Sequence, residues 1–110
     1  MGRRLAAIFA GDVVGFSRLM GVDETGTLAR LKQVRKTVVQ PKIDQHHGRV
    51  VKLMGDGLLV EFGSVVDAVT CAIEIQQTLT TQEQSQPDER QIRLRIGVNL
   101  GDIILEGSDI

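Results

Sequence analysis

The sequence predicts an α+β domain whose strands and helices follow one another in the order β-α-β-β-α-β. Two observations indicate this order. The first is that short segments with continuous or alternating hydrophobic residues, typical of strands, are separated by longer segments whose hydrophobic residues recur at steps of three to five, typical of amphipathic helices. The second is that only residues 55–57 separate the second strand from the third, so these strands are predicted to form a hairpin.

Size and composition restrict the class of protein. The 110 residues suffice for one domain, and a hydrophobic content of 42% supports a buried core. A net charge of −1 and the absence of Tyr and Trp argue against a nucleic-acid partner. The single cysteine, Cys71, is expected to be a core residue of a reduced, cytoplasmic protein. No segment is apolar over the length that a membrane-spanning helix requires, so no membrane contact is expected.

The first strand is predicted over residues 3–13 and is almost continuously apolar, as expected of a central strand. It ends in Gly11 and Asp12, and a short helical turn is predicted over residues 15–20, with Gly21 ending it.

A long helix is predicted over residues 23–47, where Pro41 should cause a kink near Val38 or divide the helix into two pieces. Gly48 is expected to cap its C-terminus. His46 and His47 lie at this end, and adjacent helical residues point in different directions, so we interpret them as a frayed, solvated helix end rather than a metal site.

The second half of the chain begins with the hairpin, residues 50–62. Ser64 and Asp67 form a capping-box pattern that starts the next helix, which is expected to fray in the polar tract of residues 76–86. A strand with a polar face follows over residues 92–98, and Gly101 is expected to separate it from a further short strand at 103–105.

This order is that of a ferredoxin-like fold, with an antiparallel sheet and two helices packed on one face. In that topology the first strand lies beside the third, so Asp12 at a strand end and Asp56 at the hairpin tip should approach each other. Asp56 alone is equally an ordinary turn residue. Paired carboxylates beside a glycine-containing loop and a helix start can together hold magnesium and a triphosphate.

Six blocks of the sequence, in order, resemble the class III adenylate/guanylate cyclase catalytic domain of bacterial type. These blocks are FAGDVVGFSRLM, GTLAR, VKLMGDGLLVEF, residues 67–75, RLRIGVNLG and EGSDI. The resemblance covers nearly the whole chain, so residues 1–110 correspond to the N-terminal part of such a domain.

The resemblance implies roles for individual residues. Asp12 and Asp56 match the two catalytic aspartates that bind two Mg²⁺ or Mn²⁺ ions per active site, and the Val13 carbonyl matches a further metal ligand. Arg95 matches an arginine that reaches the triphosphate. The alternative interpretation, that Arg95 is an ordinary solvent-exposed residue of an edge strand, remains open. The residues that match the phosphate-binding turn are Val14, Gly15, Phe16 and Ser17, and those that match the purine contacts are Lys52 and Asp109.

A Lys and Asp pair at the purine positions implies ATP as the substrate. The implied reaction converts ATP to 3′,5′-cyclic AMP and pyrophosphate at a homodimer interface by a two-metal mechanism. In the family, the motif that begins at Asp109 and Ile110 continues to an Asn and an Arg that stabilise the transition state, so a chain of these 110 residues is expected to turn over little by itself.

Three alternatives share the predicted topology. A non-catalytic nucleotide-binding or dimerisation module remains open. A diguanylate cyclase is disfavoured because the hairpin residues 54–58 do not match its Gly-Gly-Asp/Glu-Glu-Phe motif, and an RNA-recognition module is disfavoured because the sheet aromatics are absent.

Overall fold

The computed structural model describes the backbone of residues 2–105 and the side chains of residues 4–102. Its four strands form one antiparallel sheet in the order β2-β3-β1-β4. The strands are β1 (Gly2–Val13), β2 (Arg49–Met54), β3 (Gly57–Phe62) and β4 (Leu94–Leu105). The helices are α1 (Phe16–Val22), α2 (Glu24–Val34), α3 (Gln40–Gln45) and α4 (Val65–Glu83), with a π-helical turn at Arg35–Val39 and a 3₁₀ turn at Asp88–Arg90.

The helices cover one face of the sheet, which confirms the predicted ferredoxin-like α+β fold. Phe9 of β1 and Phe62 of β3 are buried there with their ring centroids 5.9 Å apart. Helix residues such as Ile43 and Ile75 complete this core, and both are fully buried. Cys71 is a core residue as predicted, and burial raises the pKa of its thiol to about 11.

Two glycines do not end the elements that they were expected to end. Helix α1 continues through Gly21 and stops at Asp23. The backbone of Asp23 is extended, and its side chain caps α2 by accepting from the Gly26 N–H at 3.0 Å. A glycine costs only about 1 kcal/mol in a helix, so the stronger capping signal decides. Likewise β4 is one strand through Gly101, because β1 provides a pairing partner along its whole length.

The expected irregularity in the long helix is present. The N–H of Gln40 donates to the carbonyl of Arg35, five residues back, and this wider turn precedes Pro41. Pro41 therefore lies in the first turn of α3, where its missing N–H has no intrahelical acceptor to lose.

The C-terminus of α3 is capped differently from the prediction, which assigned the cap to Gly48. His47 adopts the left-handed conformation (φ 62°), and the N–H of Gly48 donates to the carbonyl of Ile43 at 2.8 Å, which is the Schellman arrangement. Gly48 is required for another reason, since a Cβ there would lie 2.6 Å from the Phe62 ring. His46 is not frayed either, because its Nε2 lies 3.1 Å from Oε1 of Glu74.

Helix α4 begins as predicted, with the Ser64 side chain accepting from the Asp67 N–H at 3.1 Å. It does not fray in the polar tract but continues to Glu83, which is buried. The Glu83 carboxylate accepts from the Ile92 N–H at 2.7 Å and is ion-paired with Arg30. Within residues 2–105, no helix combines the length and the hydropathy that crossing a membrane would require.

Candidate active site

Asp12 of β1 and Arg95 of β4 face each other across two adjacent strands. They are direct partners in the β1–β4 ladder, and the guanidinium donates to both carboxylate oxygens, from Nε to Oδ1 at 3.1 Å and from Nη2 to Oδ2 at 2.8 Å. These hydrogen bonds hold the pKa of Asp12 below its usual range and raise the pKa of Arg95. Arg95 thus has a defined partner, although its side chain is 73% exposed.

Asp56 lies in the tight turn between β2 and β3 and folds back on the end of β1. Its Oδ2 accepts a hydrogen bond from the N–H of Val13 at 3.1 Å. Gly55 permits this turn because it adopts a φ of 57°, which L side chains rarely adopt. Since Val13 directly follows Asp12, the two carboxylates lie at the same end of β1, as the topology predicted.

The hairpin tip has a second contact, which the sequence pattern did not reveal. Arg35, in the π-helical turn, donates from Nη2 to the carbonyl of Gly55 at 2.7 Å. Nothing in the spacing of the residues distinguishes Arg35 from the other cations of this helical segment, so only the folded chain identifies it.

An open cavity of about 430 Å³ adjoins the Asp12–Arg95 pair. Small and apolar residues line it beside this pair, among them Ala10, Leu59 and Gly97. These three residues are aligned across neighbouring strands and belong to the sheet face that carries no helices. Asp56 does not line this cavity; it lines a narrow space beneath the hairpin tip together with Arg35.

Apart from Arg95, the predicted purine- and phosphate-contact residues that the structure describes do not themselves line this cavity. Lys52 is paired with Leu59, which is paired with Ala10, so Lys52 belongs to the same sheet face, two strand spacings of ~4.8 Å from β1. Gly15 adopts a φ of 64° and precedes α1, where Phe16 is half-buried and Ser17 is exposed. The N–H of Val14 donates to the Arg93 carbonyl at 2.8 Å. Asp109 lies outside the described residues.

The donor set at the end of β1 fits a hard divalent cation. Asp12 and Asp56 would supply carboxylate oxygens, and the backbone of Val13, the residue after Asp12, would supply a carbonyl. Mg²⁺ is commonly held by one or two carboxylates completed by water and substrate phosphates. Among the side chains that the structure describes, no three His, Cys, Asp or Glu residues cluster as a self-sufficient metal site, so phosphate oxygens would have to complete the coordination.

The sequence matches a known protein family. The Adenylate and Guanylate cyclase catalytic domain family matches residues 4–108. This chain belongs to that family. It is 53% identical over 108 residues to "Putative adenylate cyclase 3" of Rhizobium meliloti (strain 1021) and 31% identical over 108 residues to an adenylate cyclase of Streptomyces coelicolor.

The cyclase fold is also found in solved structures. The adenylate/guanylate cyclase/hydrolase from Silicibacter pomeroyi superimposes with a TM-score of 0.91 at 45% identity, and the match covers 98% of this chain and 63% of that one. The two curated relatives are longer still: each match covers 98% of this chain but only 18% of the Rhizobium protein and 26% of the Streptomyces protein. The matched region is therefore a cyclase catalytic domain segment of larger relatives.

Proposed function

We propose that this cyclase domain acts on ATP and forms 3′,5′-cyclic AMP and pyrophosphate, with Asp12, Asp56 and Arg95 at its centre. The observation that carries the proposal is the contact of the Asp56 carboxylate with the Val13 N–H, because it brings a second carboxylate to the end of β1 where Asp12 lies. Arg95 adds the positive charge that a triphosphate requires, at the edge of an open cavity.

The carboxylates of Asp12 and Asp56 and the carbonyl of Val13 would hold two Mg²⁺ or Mn²⁺ ions. When bound, these ions would lower the pKa of the ribose 3′-hydroxyl and neutralise charge on the departing pyrophosphate. The chain itself binds and orients the nucleotide: Arg95 releases Asp12 and donates to phosphate oxygens, since both groups are anionic and compete for the same guanidinium.

The remaining contacts orient the two ends of the nucleotide. The first amides of α1, at Phe16 and Ser17, have no acceptor in a preceding helical turn and would donate to phosphate oxygens alongside Gly15. Lys52 would donate to a ring nitrogen of adenine, and Asp109 would accept from its amino group. The active site would be completed by a second copy of the chain in a homodimer, as the family resemblance implies.

Calorimetry with ATP and Mn²⁺ tests the binding step on this chain. We expect Mn²⁺-dependent ATP binding that is stronger than GTP binding and that is lost in Asp12→Asn and in Asp56→Asn. Asp44→Asn is the matched control, because Asp44 is an exposed acid of α3 whose side chain accepts a hydrogen bond from Gln40, away from the end of β1.

Cyclic AMP formation is then measured by chromatography on the full-length protein, with the same substitutions. Production of cyclic AMP that both site variants abolish and Asp44→Asn retains supports the proposal. Binding that is equal in all four proteins would contradict it, and binding without product in the full-length protein would favour a non-catalytic nucleotide-binding module.

A further inference from the structure

We propose that Arg35 is a positioning residue for Asp56, so that it sets the affinity of the active site for divalent cations. This inference rests on the proposed function, since it concerns the same pair of carboxylates. Its basis is the hydrogen bond from the Arg35 guanidinium to the carbonyl of Gly55, the residue immediately before Asp56.

The hairpin tip is exposed, and the Arg35 contact adds to the strand pairing of Met54 with Gly57 that closes the turn. Met54 and Gly55 are exposed, and a Cβ built on Gly55 would meet no atom within 4 Å. The turn is fixed on one side by the hydrogen bond between Asp56 and the Val13 N–H. That bond uses the very carboxylate that a cation would engage, whereas the Arg35 bond uses the backbone and leaves the carboxylate available.

The local helix geometry places Arg35 for this task. Its own carbonyl accepts from the Gln40 N–H across the π-helical turn that precedes Pro41. Interruptions of this kind are frequent at functional sites because they change the direction of side chains relative to a regular helix. The side chain of Arg35 also lines the narrow space beneath the tip together with Asp56. The Arg35 side chain thus connects the π-helical turn to the hairpin tip.

A turn held from the helix side keeps the Asp56 carboxylate at the end of β1 that carries Asp12, before any cation binds. Loss of the Arg35 contact would let the tip move, and part of the cation-binding free energy would then be spent on ordering it. We therefore expect a rise in the Mn²⁺ requirement, the Mn²⁺ concentration that gives half-maximal ATP binding. The proposed nucleotide contacts of Arg95 and Lys52 should be unchanged at saturating Mn²⁺.

The test is Mn²⁺-dependent ATP binding by Arg35→Met, measured by calorimetry over a range of Mn²⁺ concentrations. Loss of one charge-assisted hydrogen bond should raise the Mn²⁺ concentration for half-maximal binding about tenfold. Arg35→Lys, which keeps a donor, should restore it to within about threefold of the wild type. Lys36→Met is the control, because it removes the same charge from the neighbouring exposed position.

The outcomes separate this inference from the proposed function. If the wild-type chain shows no Mn²⁺-dependent ATP binding, the proposed function fails. If the wild type binds but Arg35→Met and Lys36→Met have the same Mn²⁺ requirement, Arg35 has no positioning role. A fall in melting temperature without a change in Mn²⁺ requirement would also overturn the inference, since it indicates a purely structural contact. Should Arg35→Met not fold, Arg35→Gln serves in the same comparison.

Discussion

Arg95 and Asp12 illustrate how much of the candidate site rests on single side chains. In the absence of ligands each neutralises the other through two hydrogen bonds. A cation at Asp12 and a triphosphate at Arg95 would each have to replace the partner, so the pair is expected to separate as the site fills. The ion pair therefore opposes cation binding at Asp12, whereas Arg95, once released from Asp12, would support nucleotide binding.

Arg95→Met should accordingly change two affinities in opposite directions. Without nucleotide, Mn²⁺ binding measured by electron paramagnetic resonance should become several-fold tighter, because the guanidinium no longer competes for Asp12. With Mn²⁺ saturating, ATP binding should weaken about tenfold through loss of a charge-assisted contact. The pKa of Asp12, followed by NMR, should rise toward its ordinary value, since the Arg95 hydrogen bonds lower it.

Arg93→Met is the matched control. Arg93 is exposed, lies directly before β4, donates to Gln91 and does not contact Asp12. A loss of both Mn²⁺ and ATP affinity in Arg95→Met alone would contradict the exchange of partners.

At the scale of elements, the end of α3 shows why a glycine can be essential for a reason other than capping. His47 takes the left-handed conformation, whereas Gly48 lets the chain pass close to the Phe62 ring and the Ile43 side chain. Sequence alone predicted a glycine cap, because the pattern of a helix end contains no information about which strand residue packs against it.

Gly48→Ala should lower the free energy of unfolding by about 1–3 kcal/mol, the usual cost of overpacking a rigid core site. Urea denaturation followed by circular dichroism measures it. Gly21→Ala is the control: it lies within α1 with no atom near the added methyl group, so it should be neutral or slightly stabilising. Equal stability of the two variants would show that the contact with Phe62 carries no strain.

The second element-scale correction concerns α4, whose polar tract suggested fraying. Its last residue, Glu83, is buried and joins α4 to Arg30 of α2 and to the backbone of Ile92 before β4. Hydrogen-bond partners distant in sequence thus stabilise a segment whose own residues do not predict a helix there.

Glu83→Ala should lower the free energy of unfolding by about 2–4 kcal/mol, because it leaves the buried Ile92 N–H without its acceptor and Arg30 without its partner carboxylate. The exposed Glu89→Ala provides the comparison and should change stability by less than about 0.5 kcal/mol. Thermal and urea unfolding measure both. Similar values for the two variants would mean that the buried network contributes no net stability.

For the whole molecule, the sequence predicted the order of elements because hydrophobic periodicity and the glycine-containing turn are local signals. The position of Asp12 and Asp56 at the same end of β1 followed from topology, since a ferredoxin-like sheet places the first strand beside the third. The partners of those aspartates could not be predicted in the same way. Which guanidinium reaches Gly55, and which amide reaches Asp56, depends on side-chain packing across distant segments.

The central claim is that Asp12 and Asp56 share divalent cations with a bound nucleotide. A crystal structure of the chain with Mn²⁺ and a non-hydrolysable ATP analogue, with anomalous scattering locating the manganese, tests it most directly. The account predicts Mn²⁺ bound by both carboxylates, with Arg95 released from Asp12 and in contact with phosphate oxygens. Manganese bound elsewhere, or by only one of the two aspartates, would contradict it.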